Sequence, residues 1–255
     1  MAETGRNIRL VLQYDGTRYQ GWQRQKLGEA TIQAKLEGVL SRIADERINV
    51  IGASRTDAGV HAERQVANFH TASSRSTEEI VATCHQYLPE DIVVRSAQEV
   101  PERFHARYLA QMKRYVYRIR TGPVHDVFRR RYEYHIPRPL DLAAMRAAAA
   151  LLLGTHDFAS FCASRTGHKS TIREIARAEV KVDGPVVKIA FEAPAFLHGM
   201  VRILSGTLIE VGLGRARADS VAAMVERRER AAAGFTAPAQ GLSLVEVRYD
   251  PPFDL

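Results

Sequence analysis

The order of alternating and helical apolar patterns constrains the fold of this chain more than any other feature of its sequence. Apolar residues occupy every second position from Ile8 to Tyr14, which predicts a half-buried strand. Thr31 predicts the start of a helix, and Ser76 followed by Glu79 is the pattern of a capping box at the start of a second one. The other strands of this region are predicted over 48–51, 65–69 and 92–100. The order β, α, β, β, α, β is typical of an α+β unit with its helices on one face of a sheet.

The second part of the chain repeats these elements with longer connections. The predicted elements are a strand over 111–120 with one basic and one aromatic face, an Ala-rich helix over 140–153 capped by Gly154, a hairpin over 171–193, helices over 195–212 and 219–230, a loop over 230–240 and a strand over 242–247. No low-complexity linker separates the two parts. We therefore expect two domains, 1–105 and 106–255, that meet in a tight joint.

The composition is that of an ordinary soluble globular protein, with 255 residues of which 45% are hydrophobic and 25% charged. This excludes a disordered chain, a collagen-like repeat and a coiled coil. The two cysteines, Cys84 and Cys162, form no CxxC pair, which excludes a disulfide framework and a cysteine-rich zinc site. Since the sequence has no apolar leader and no uncharged run of about 18 residues, we expect a cytoplasmic protein that contacts no membrane.

The positive charge of the chain is regional. The formal net charge is +7, and the stretch from Pro101 to Leu140 carries ten basic and three acidic residues, which accounts for the whole excess. Aromatic residues are threaded through the same stretch: Phe104, Tyr108, Tyr115, Tyr117, Phe128, Tyr132 and Tyr134. This combination suits single-stranded or looped nucleic acid, which offers both phosphates and flat rings. The alternative is a solvated sheet edge that arginines protect from aggregation.

The segment from Ser54 to Ala62 is a compact loop between two predicted strands, and it carries Asp57. Its small residues allow close approach of the backbone to a ligand. Asp57 is therefore a candidate nucleophile or general base at the edge of a cleft. The alternative is structural, since an aspartate beside Thr56 and Gly59 often accepts hydrogen bonds from neighbouring N–H groups in an Asx-turn.

Arg202 lies beside the wide apolar stripe of the helix predicted over 195–212. A partly buried guanidinium needs an acidic partner, and no Asp or Glu stands three or four residues away on the same helix. We expect the partner to be distant in sequence, and Asp57 is a candidate. The alternative is that Arg202 lays its stem along the stripe and keeps its charge in solvent.

Six separated motifs together resemble the TruA-type tRNA pseudouridine synthases, in order and in spacing, from about residue 7 to residue 250. The motifs are Tyr14-Asp15-Gly16-Thr17-Arg18-Tyr19-Gln20-Gly21-Trp22-Gln23-Arg24-Gln25, Arg55-Thr56-Asp57-Ala58-Gly59-Val60-His61-Ala62, Phe104-His105-Ala106-Arg107, Lys113-Arg114-Tyr115-Val116-Tyr117, Ala195-Phe196-Leu197-His198-Gly199-Met200-Val201-Arg202 and Gly241-Leu242-Ser243-Leu244. Two positions depart from the family pattern. Ser54 replaces the usual Gly before Arg-Thr-Asp, where a positive φ would strain it, and His85 stands where Asn is common.

The resemblance implies an enzyme that isomerises uridine to pseudouridine at positions 38 to 40 of the anticodon arm of tRNA, as a homodimer without cofactor or metal. The family's nucleophilic aspartate falls on Asp57, its active-site tyrosine on Tyr115 and its aspartate-paired arginine on Arg202. We further expect Arg55 and His61 to contact the flipped nucleotide, although both could instead stabilise the loop. The expected RNA contacts are Arg24, Lys113, Arg114, Arg129, Arg130 and Arg131.

The fold class we expect is α+β, with two ferredoxin- or RRM-like halves joined through a mainly antiparallel sheet, helices on one face and a central basic cleft. Two other functions fit the same patterns. A non-catalytic RNA-binding module would use the aromatic strands without needing Asp57, and a hydrolase would use Asp57 as a base and release free base or cut the strand. No HExxH, GxxxxGK[ST] or strand-borne GxGxxG motif is present, so neither a metal nor a nucleotide cofactor is expected.

Overall fold

The structure, a computed structural model, describes residues 5–25, 30–164 and 170–254. They form two compact units, one of the described residues up to Gln111 together with those from Leu244 onward, the other Met112–Ser243. The fold is α+β, with five α-helices among the described residues and mostly antiparallel strands. The domain boundary predicted from the sequence is residue 105, whereas these units divide after Gln111 and most of the last strand belongs to the first unit. Residue 105 as a domain boundary stays a prediction.

The first unit is a sheet with two helices. Its elements are β1 (Arg6–Tyr14), α1 (Ile32–Ala44), β2 (Ile51–Gly52), β3 (His61–Thr71), α2 (Thr77–Tyr87), β4 (Ile92–Val100) and, from the end of the chain, most of β11 (Leu242–Tyr249). The strands lie in the order β4, β1, β3, β11, and β2 pairs with β3. The central strand β1 is antiparallel to both neighbours, so Ile8 lies opposite Phe69 on β3 and Glu99 on β4.

Both helices of the first unit begin where the sequence predicts. The Thr31 side chain accepts a hydrogen bond from the N–H of Ala34, which caps α1. At α2 the Ser76 hydroxyl accepts from the N–H of Glu79, and the Glu79 carboxylate accepts from the N–H of Ser76, so the capping box is confirmed. The helix ends at Tyr87, two residues before Pro89, which cannot continue a helix.

The prediction that β1 is half-buried is wrong, because both of its faces are covered. Asn7 and Arg9, which the alternation assigns to the solvent face, are 2% and 7% exposed. The Asn7 amide donates to the carbonyl of Phe104, and the Arg9 guanidinium donates to the carbonyl of Phe253 and lies over the Phe104 ring. Residues from distant parts of the chain thus satisfy these buried polar groups, which periodicity alone does not reveal.

The second unit contains two sheets and three helices. Its elements are β5 (Ala110–Thr121), β6 (Tyr134–Ile136), α3 (Leu142–Ala150), β7 (Gly154–Asp157), β8 (Ile172–Ile175), β9 (Arg177–Asp183), β10 (Val186–Ala193), α4 (Met200–Gly212) and α5 (Ser220–Arg227). Strand β10 lies antiparallel between β5 and β9, so β9 and β10 form the predicted hairpin with its turn at Asp183-Gly184-Pro185. The first residues of the predicted hairpin instead form β8, which pairs with β7. Strands β5 and β6 are parallel, and β7 and β8 form a separate antiparallel pair.

The two faces of β5 differ as predicted. Tyr115, Tyr117 and Ile119 are buried, whereas Arg114 and Arg118 on the other face are partly exposed. The aromatic face therefore belongs to the core. No helix in the part of the chain that the structure describes is long and apolar enough to cross a membrane.

All three helices predicted for the second unit are shorter than expected. α3 ends at Ala150 with Leu151 as its C-cap, and Gly154, which has a φ of +90°, begins β7 instead of capping the helix. The helix predicted from Ala195 begins only at Met200, since Gly199 directly before it has a φ of +67°. Arg228, with a φ of +54°, ends α5 before the predicted limit. For α4 and α5, a left-handed residue thus lies directly at the helix boundary.

Helix α4 is packed against the segment that the sequence predicts as a loop over 230–240. A Cβ atom added to Gly206 would overlap the carbonyl oxygen of Phe235, and one added to Gly234 would lie 2.7 Å from the Cα of Thr207. The Thr207 hydroxyl also accepts a hydrogen bond from the N–H of Gly234 at 3.0 Å. The segment therefore lies directly on the helix backbone.

We predict opposite effects for alanine at two helical glycines. Gly206→Ala should destabilise the protein by about 1–3 kcal/mol or more, because the methyl group has no room. Gly38→Ala in α1 should stabilise it by about 0.5–1 kcal/mol, since nothing lies within 4 Å of its Cβ position and alanine favours helix. Chemical denaturation of the two variants and the wild type measures both changes. Equal effects would contradict the packing described for α4.

Candidate functional site

Asp57 lies in a short loop that follows β2 and ends where β3 begins at His61. The side chains of this loop alternate in exposure: Arg55 is exposed, Thr56 is buried and Asp57 is half-buried. The carboxylate is thus neither part of the core nor free in bulk water. Such a position lets a group meet a ligand while its backbone remains fixed.

Backbone hydrogen bonds join the Asp57 loop to the segment 16–22. The N–H of Trp22 donates to the carbonyl of Thr56 at 3.0 Å, and the N–H of Gly59 donates to the carbonyl of Tyr19 at 3.2 Å. Within the loop the N–H of Val60 donates to the carbonyl of Asp57 at 3.1 Å. These bonds hold the main chain on both sides of Asp57.

Two glycines allow the segment 16–22 to approach this closely. A Cβ added to Gly21 would lie 2.6 Å from the carbonyl oxygen of Thr56, and one added to Gly16 would overlap that of Val60. Gly21 also has a φ of +90°, a conformation that a larger residue rarely adopts. The glycines of the first family-like motif are therefore required by the loop that carries Asp57.

Buried side chains of β1 and β3 also hold the Asp57 loop. The Tyr14 hydroxyl shares a hydrogen bond of 2.8 Å with the Thr56 hydroxyl. The Gln65 amide, which is fully buried, donates to the carbonyl of Ser54 and accepts from its N–H. Among the described non-glycine residues only Asp45 and Arg228 have a positive φ, so the serine that departs from the family pattern is not strained.

Trp22 anchors the segment 16–22 in the core. Its side chain is 1% exposed and lies over Gly52, where an added Cβ would overlap the indole ring. Tyr19 is also buried, and its hydroxyl donates to the Asp91 carboxylate. Burial, reinforced by that bond, raises the pKa of Tyr19 to about 12, so the donor stays protonated at neutral pH.

His61 contacts the turn beside the loop. Its ring is buried, and Nδ1 accepts a hydrogen bond of 3.0 Å from the N–H of Gly16. Asp15 Oδ1 lies 3.2 Å from the same Nδ1, and that contact would be an ion pair only with Nδ1 protonated. Because the Gly16 N–H needs the Nδ1 lone pair, we assign the neutral tautomer with its proton on Nε2. These contacts favour the loop-stabilising role, and a contact with substrate stays a prediction.

Tyr115 lies on β5 opposite Phe191 of β10 and is 5% exposed. Its ring makes an edge-to-face contact with Phe196, with centroids 5.4 Å apart. Phe196 belongs to the motif that leads into α4, so two of the family-like motifs meet at this ring pair. The contact fixes the ring orientation of Tyr115.

Arg202 lies in the first turn of α4, half-buried. Its Nε donates to the carbonyl of Ala237 at 2.8 Å, and the N–H of Ala237 donates back to the carbonyl of Arg202 at 3.1 Å. The Tyr117 hydroxyl donates to the next carbonyl, that of Pro238, at 2.8 Å. This reciprocal clamp sets the plane of the guanidinium, so Arg202 does not simply extend into solvent.

Burial and the nearby Tyr134 raise the pKa of Tyr117, and the Arg202 charge opposes the rise. Tyr117 therefore remains a neutral donor to Pro238. The Arg202 guanidinium is close enough to the Tyr117 hydroxyl for its charge to favour the ionised form. The charge of Arg202 therefore lies near the aromatic face of β5 within the second unit.

Three of the predicted RNA-binding residues are tied into the protein. The Arg24 guanidinium lies 2.7 Å from the Glu37 carboxylate, which also accepts from the N–H of Val50. Lys113 is buried and donates to the carbonyl of Pro194, and Arg114 lies 3.4 Å from Glu192. The remaining candidates, Arg129, Arg130 and Arg131, are exposed.

Sequence reasoning missed two sets of supporting residues. Gln65 supports the Asp57 loop from β3, and the only signal for it is a long amide within a strand predicted to be apolar. Ala237 and Pro238 hold Arg202 and Tyr117 through carbonyl groups, which carry no side-chain signal in a sequence. Their role becomes visible only when the loop is seen packed on α4.

Comparisons with known proteins agree on one family. A family sequence pattern described as tRNA pseudouridine synthase matches residues 10–109 and 148–250 of this chain. These ranges include the Asp57 loop and Arg202 but not the segment with Tyr115.

Individual relatives are similar over nearly their full length. A tRNA pseudouridine synthase A 1 of Clostridium tetani is 44% identical over 244 residues, which are 96% of this chain and 100% of the relative. A tRNA pseudouridine synthase A of Acetivibrio thermocellus has the same identity and coverage. One from a Geobacillus species is 43% identical over 246 residues, or 96% of this chain and 99% of the relative.

We predict that Gly21→Ala disturbs the Asp57 loop. Its methyl group would meet the Thr56 carbonyl, so the melting temperature should fall and the amide protons of Trp22 and Gly59 should exchange faster. Gly214→Ala is the matched control, because Gly214 also has a positive φ, +70°, but nothing lies within 4 Å of its Cβ position. If the amide protons of Trp22 and Gly59 exchanged equally fast in the Gly21→Ala and Gly214→Ala variants, the close packing at Gly21 would be contradicted.

Proposed function

We infer the function from one premise: this chain belongs to the tRNA pseudouridine synthase family, whose pattern covers most of its length. It is an isomerase that converts uridine to pseudouridine in tRNA. The observation that carries this conclusion is the family match in both units of the chain, at 44% identity to a full-length relative. The steps assigned below to individual residues are proposals.

The reaction breaks the C1′–N1 bond of uridine, turns the base over and forms a C1′–C5 bond. The C5 proton leaves and N1 gains one, so atoms and electrons balance without an oxidant or a metal. The protein must extrude the nucleotide, supply an ionised carboxylate and accept the C5 proton. Asp57 is the group we assign to the first chemical step, as the nucleophile. Its place on a backbone-bonded loop supports this, because a loop whose main chain is already held loses little entropy when the substrate binds.

Arg202 and Tyr115 are proposed to complete the site. A guanidinium beside Asp57 would keep the carboxylate ionised and aimed, an effect worth about 2–4 kcal/mol if its loss left Asp57 misoriented. The bond from Nε to Ala237, which sets the guanidinium plane, supports a positioning role. Tyr115 would stack on the uracil and could pass a proton through its hydroxyl, and its fixed ring supports the stacking role. Arg55, exposed beside Asp57, would contact the phosphate of the flipped nucleotide or take its place in the stack.

The substrate is proposed to be the anticodon arm of tRNA at positions 38 to 40. The two α+β halves would be ferredoxin- or RRM-like, with helices on one face and a central basic cleft for the arm. Arg129, Arg130 and Arg131 would bind phosphates without sequence preference, in keeping with their exposure. We also propose that the enzyme acts as a cytoplasmic homodimer and needs no cofactor.

We predict that Asp57→Asn abolishes catalysis while tRNA binding persists. Tritium release from tRNA labelled at C5 of uridine should fall at least about a thousandfold, because an amide cannot act as the nucleophile. Glu90→Gln, which removes an exposed carboxylate elsewhere in the first unit, should release tritium at the wild-type rate.

The same assay separates the alternatives. Full release by Asp57→Asn would remove Asp57 from the mechanism. No release by the wild type would leave a non-catalytic RNA-binding module, and release of free base or shortened RNA would indicate a hydrolase.

A further inference from the structure

The loop between β5 and β6, residues 122–133, exposes large apolar side chains, and we call it the tip loop. Phe128 is 88% exposed and Val124 79% exposed, while Val127 and Tyr132 are 49% and 41% exposed. Isolated exposed apolar residues are ordinary, but four within nine residues form a patch, and such patches mark interaction sites.

The tip loop is ordered although it is exposed. The Asp126 carboxylate accepts from the N–H of Phe128 at 2.9 Å, and the Asp126 carbonyl accepts from the N–H of Arg129 at 3.1 Å. A second turn follows, in which the N–H of Tyr132 donates to the carbonyl of Arg129 at 2.8 Å. The exposed ring of Phe128 is therefore carried by a turn whose backbone is held by hydrogen bonds.

The two acidic residues of the tip loop both lie near the Arg120 guanidinium. The Arg120 guanidinium of β5 lies 2.6 Å from the Glu133 carboxylate and 3.7 Å from that of Asp126. The basic residues of the loop, Arg129, Arg130 and Arg131, are exposed, and the Arg130 guanidinium also donates to the Val127 carbonyl at 2.6 Å. The surface around Phe128 is thus apolar and strongly basic together.

A surface that is both apolar and basic favours one chemical class of partner. A polyanion with flat apolar rings satisfies both features, since phosphates pair with guanidinium groups and an unstacked base covers the aromatic ring. An apolar protein surface would have to bury or exclude three arginines, which is costly without matching carboxylates.

We propose that the tip loop is a nucleotide-stacking contact for the RNA substrate, with Phe128 stacked on an unpaired base and Arg129–Arg131 on the flanking phosphates. The proposal rests on the proposed function for the identity of the RNA, and it adds a binding residue that takes no part in the chemistry. Phe128 would therefore govern tRNA affinity and leave the rate at saturating tRNA unchanged.

The test replaces Phe128 by Ala, Leu and Trp in the full-length protein, and measures tRNA dissociation constants, single-turnover rates at saturating tRNA and the oligomeric state. Base–aromatic stacking predicts at least about fivefold weaker binding for Phe128→Ala and Phe128→Leu, near wild-type binding for Phe128→Trp, and saturating rates within about twofold for all three. Leu153→Ala is the control, because Leu153 is an exposed apolar residue outside the basic stretch and should bind tRNA as the wild type does.

Three results would overturn the proposal. Unchanged tRNA binding by Phe128→Ala would mean that the ring makes no contact with RNA. Full binding by Phe128→Leu beside weak binding by Phe128→Ala would indicate an apolar pocket instead of a stacked base. A changed oligomeric state would assign the tip loop to contacts between two copies of the chain. Failure of the proposed function is seen separately, as a wild type that binds tRNA but releases no tritium.

Discussion

The close backbone contact between the Asp57 loop and the segment 16–22 is the constraint on which the rest of the site depends. It exists because Gly16 and Gly21 carry no Cβ, and because the N–H of Trp22 and the carbonyl of Tyr19 bond to the loop. Buried groups below it, Tyr14 and Gln65, satisfy the polar atoms that this packing removes from water. The main chain that carries Asp57 is therefore held in place before any substrate arrives, which suits the catalytic role proposed for this residue.

Close main-chain packing at glycines also orients the side chains of Arg202 and Tyr117 in the second unit. Helix α4 and the segment over 234–238 are packed through Gly206 and Gly234, and this packing brings the Ala237 and Pro238 carbonyls to Arg202 and Tyr117. A main-chain carbonyl therefore orients the Arg202 guanidinium, just as main-chain hydrogen bonds hold the Asp57 loop of the first unit. The tip loop differs, since its order comes from Asp126 and its exposed ring has no covering side chain from its own turn. Its chemistry is suited to a large flexible ligand and not to catalysis.

Local signals in the sequence predicted the helix starts at Thr31 and Ser76, the aromatic face of β5 and the hairpin at Gly184, because capping, alternation and turns act over a few residues. The prediction failed where distant segments decide. The outer face of β1 is buried only because Phe104 and Phe253 return to it, and α4 begins late because Gly199 is left-handed. The same limit applies to the candidate residues: Asp57 and Arg202 stand out in the sequence, whereas Gln65, which holds the Asp57 loop, shows only as a long amide within a predicted strand, and the Ala237 carbonyl, which accepts from Arg202, carries no side-chain signal.

The proposal that Asp57 acts together with Arg202 in catalysis is tested most directly by a double-mutant cycle. The single-turnover rate of pseudouridine formation is measured for Asp57→Glu, Arg202→Lys and the double variant, all of which keep their charges. If the two groups act on each other, the rate of the double variant should lie within about threefold of the rate of the slower single variant. If the two losses multiply instead, Asp57 and Arg202 act independently and the account is contradicted.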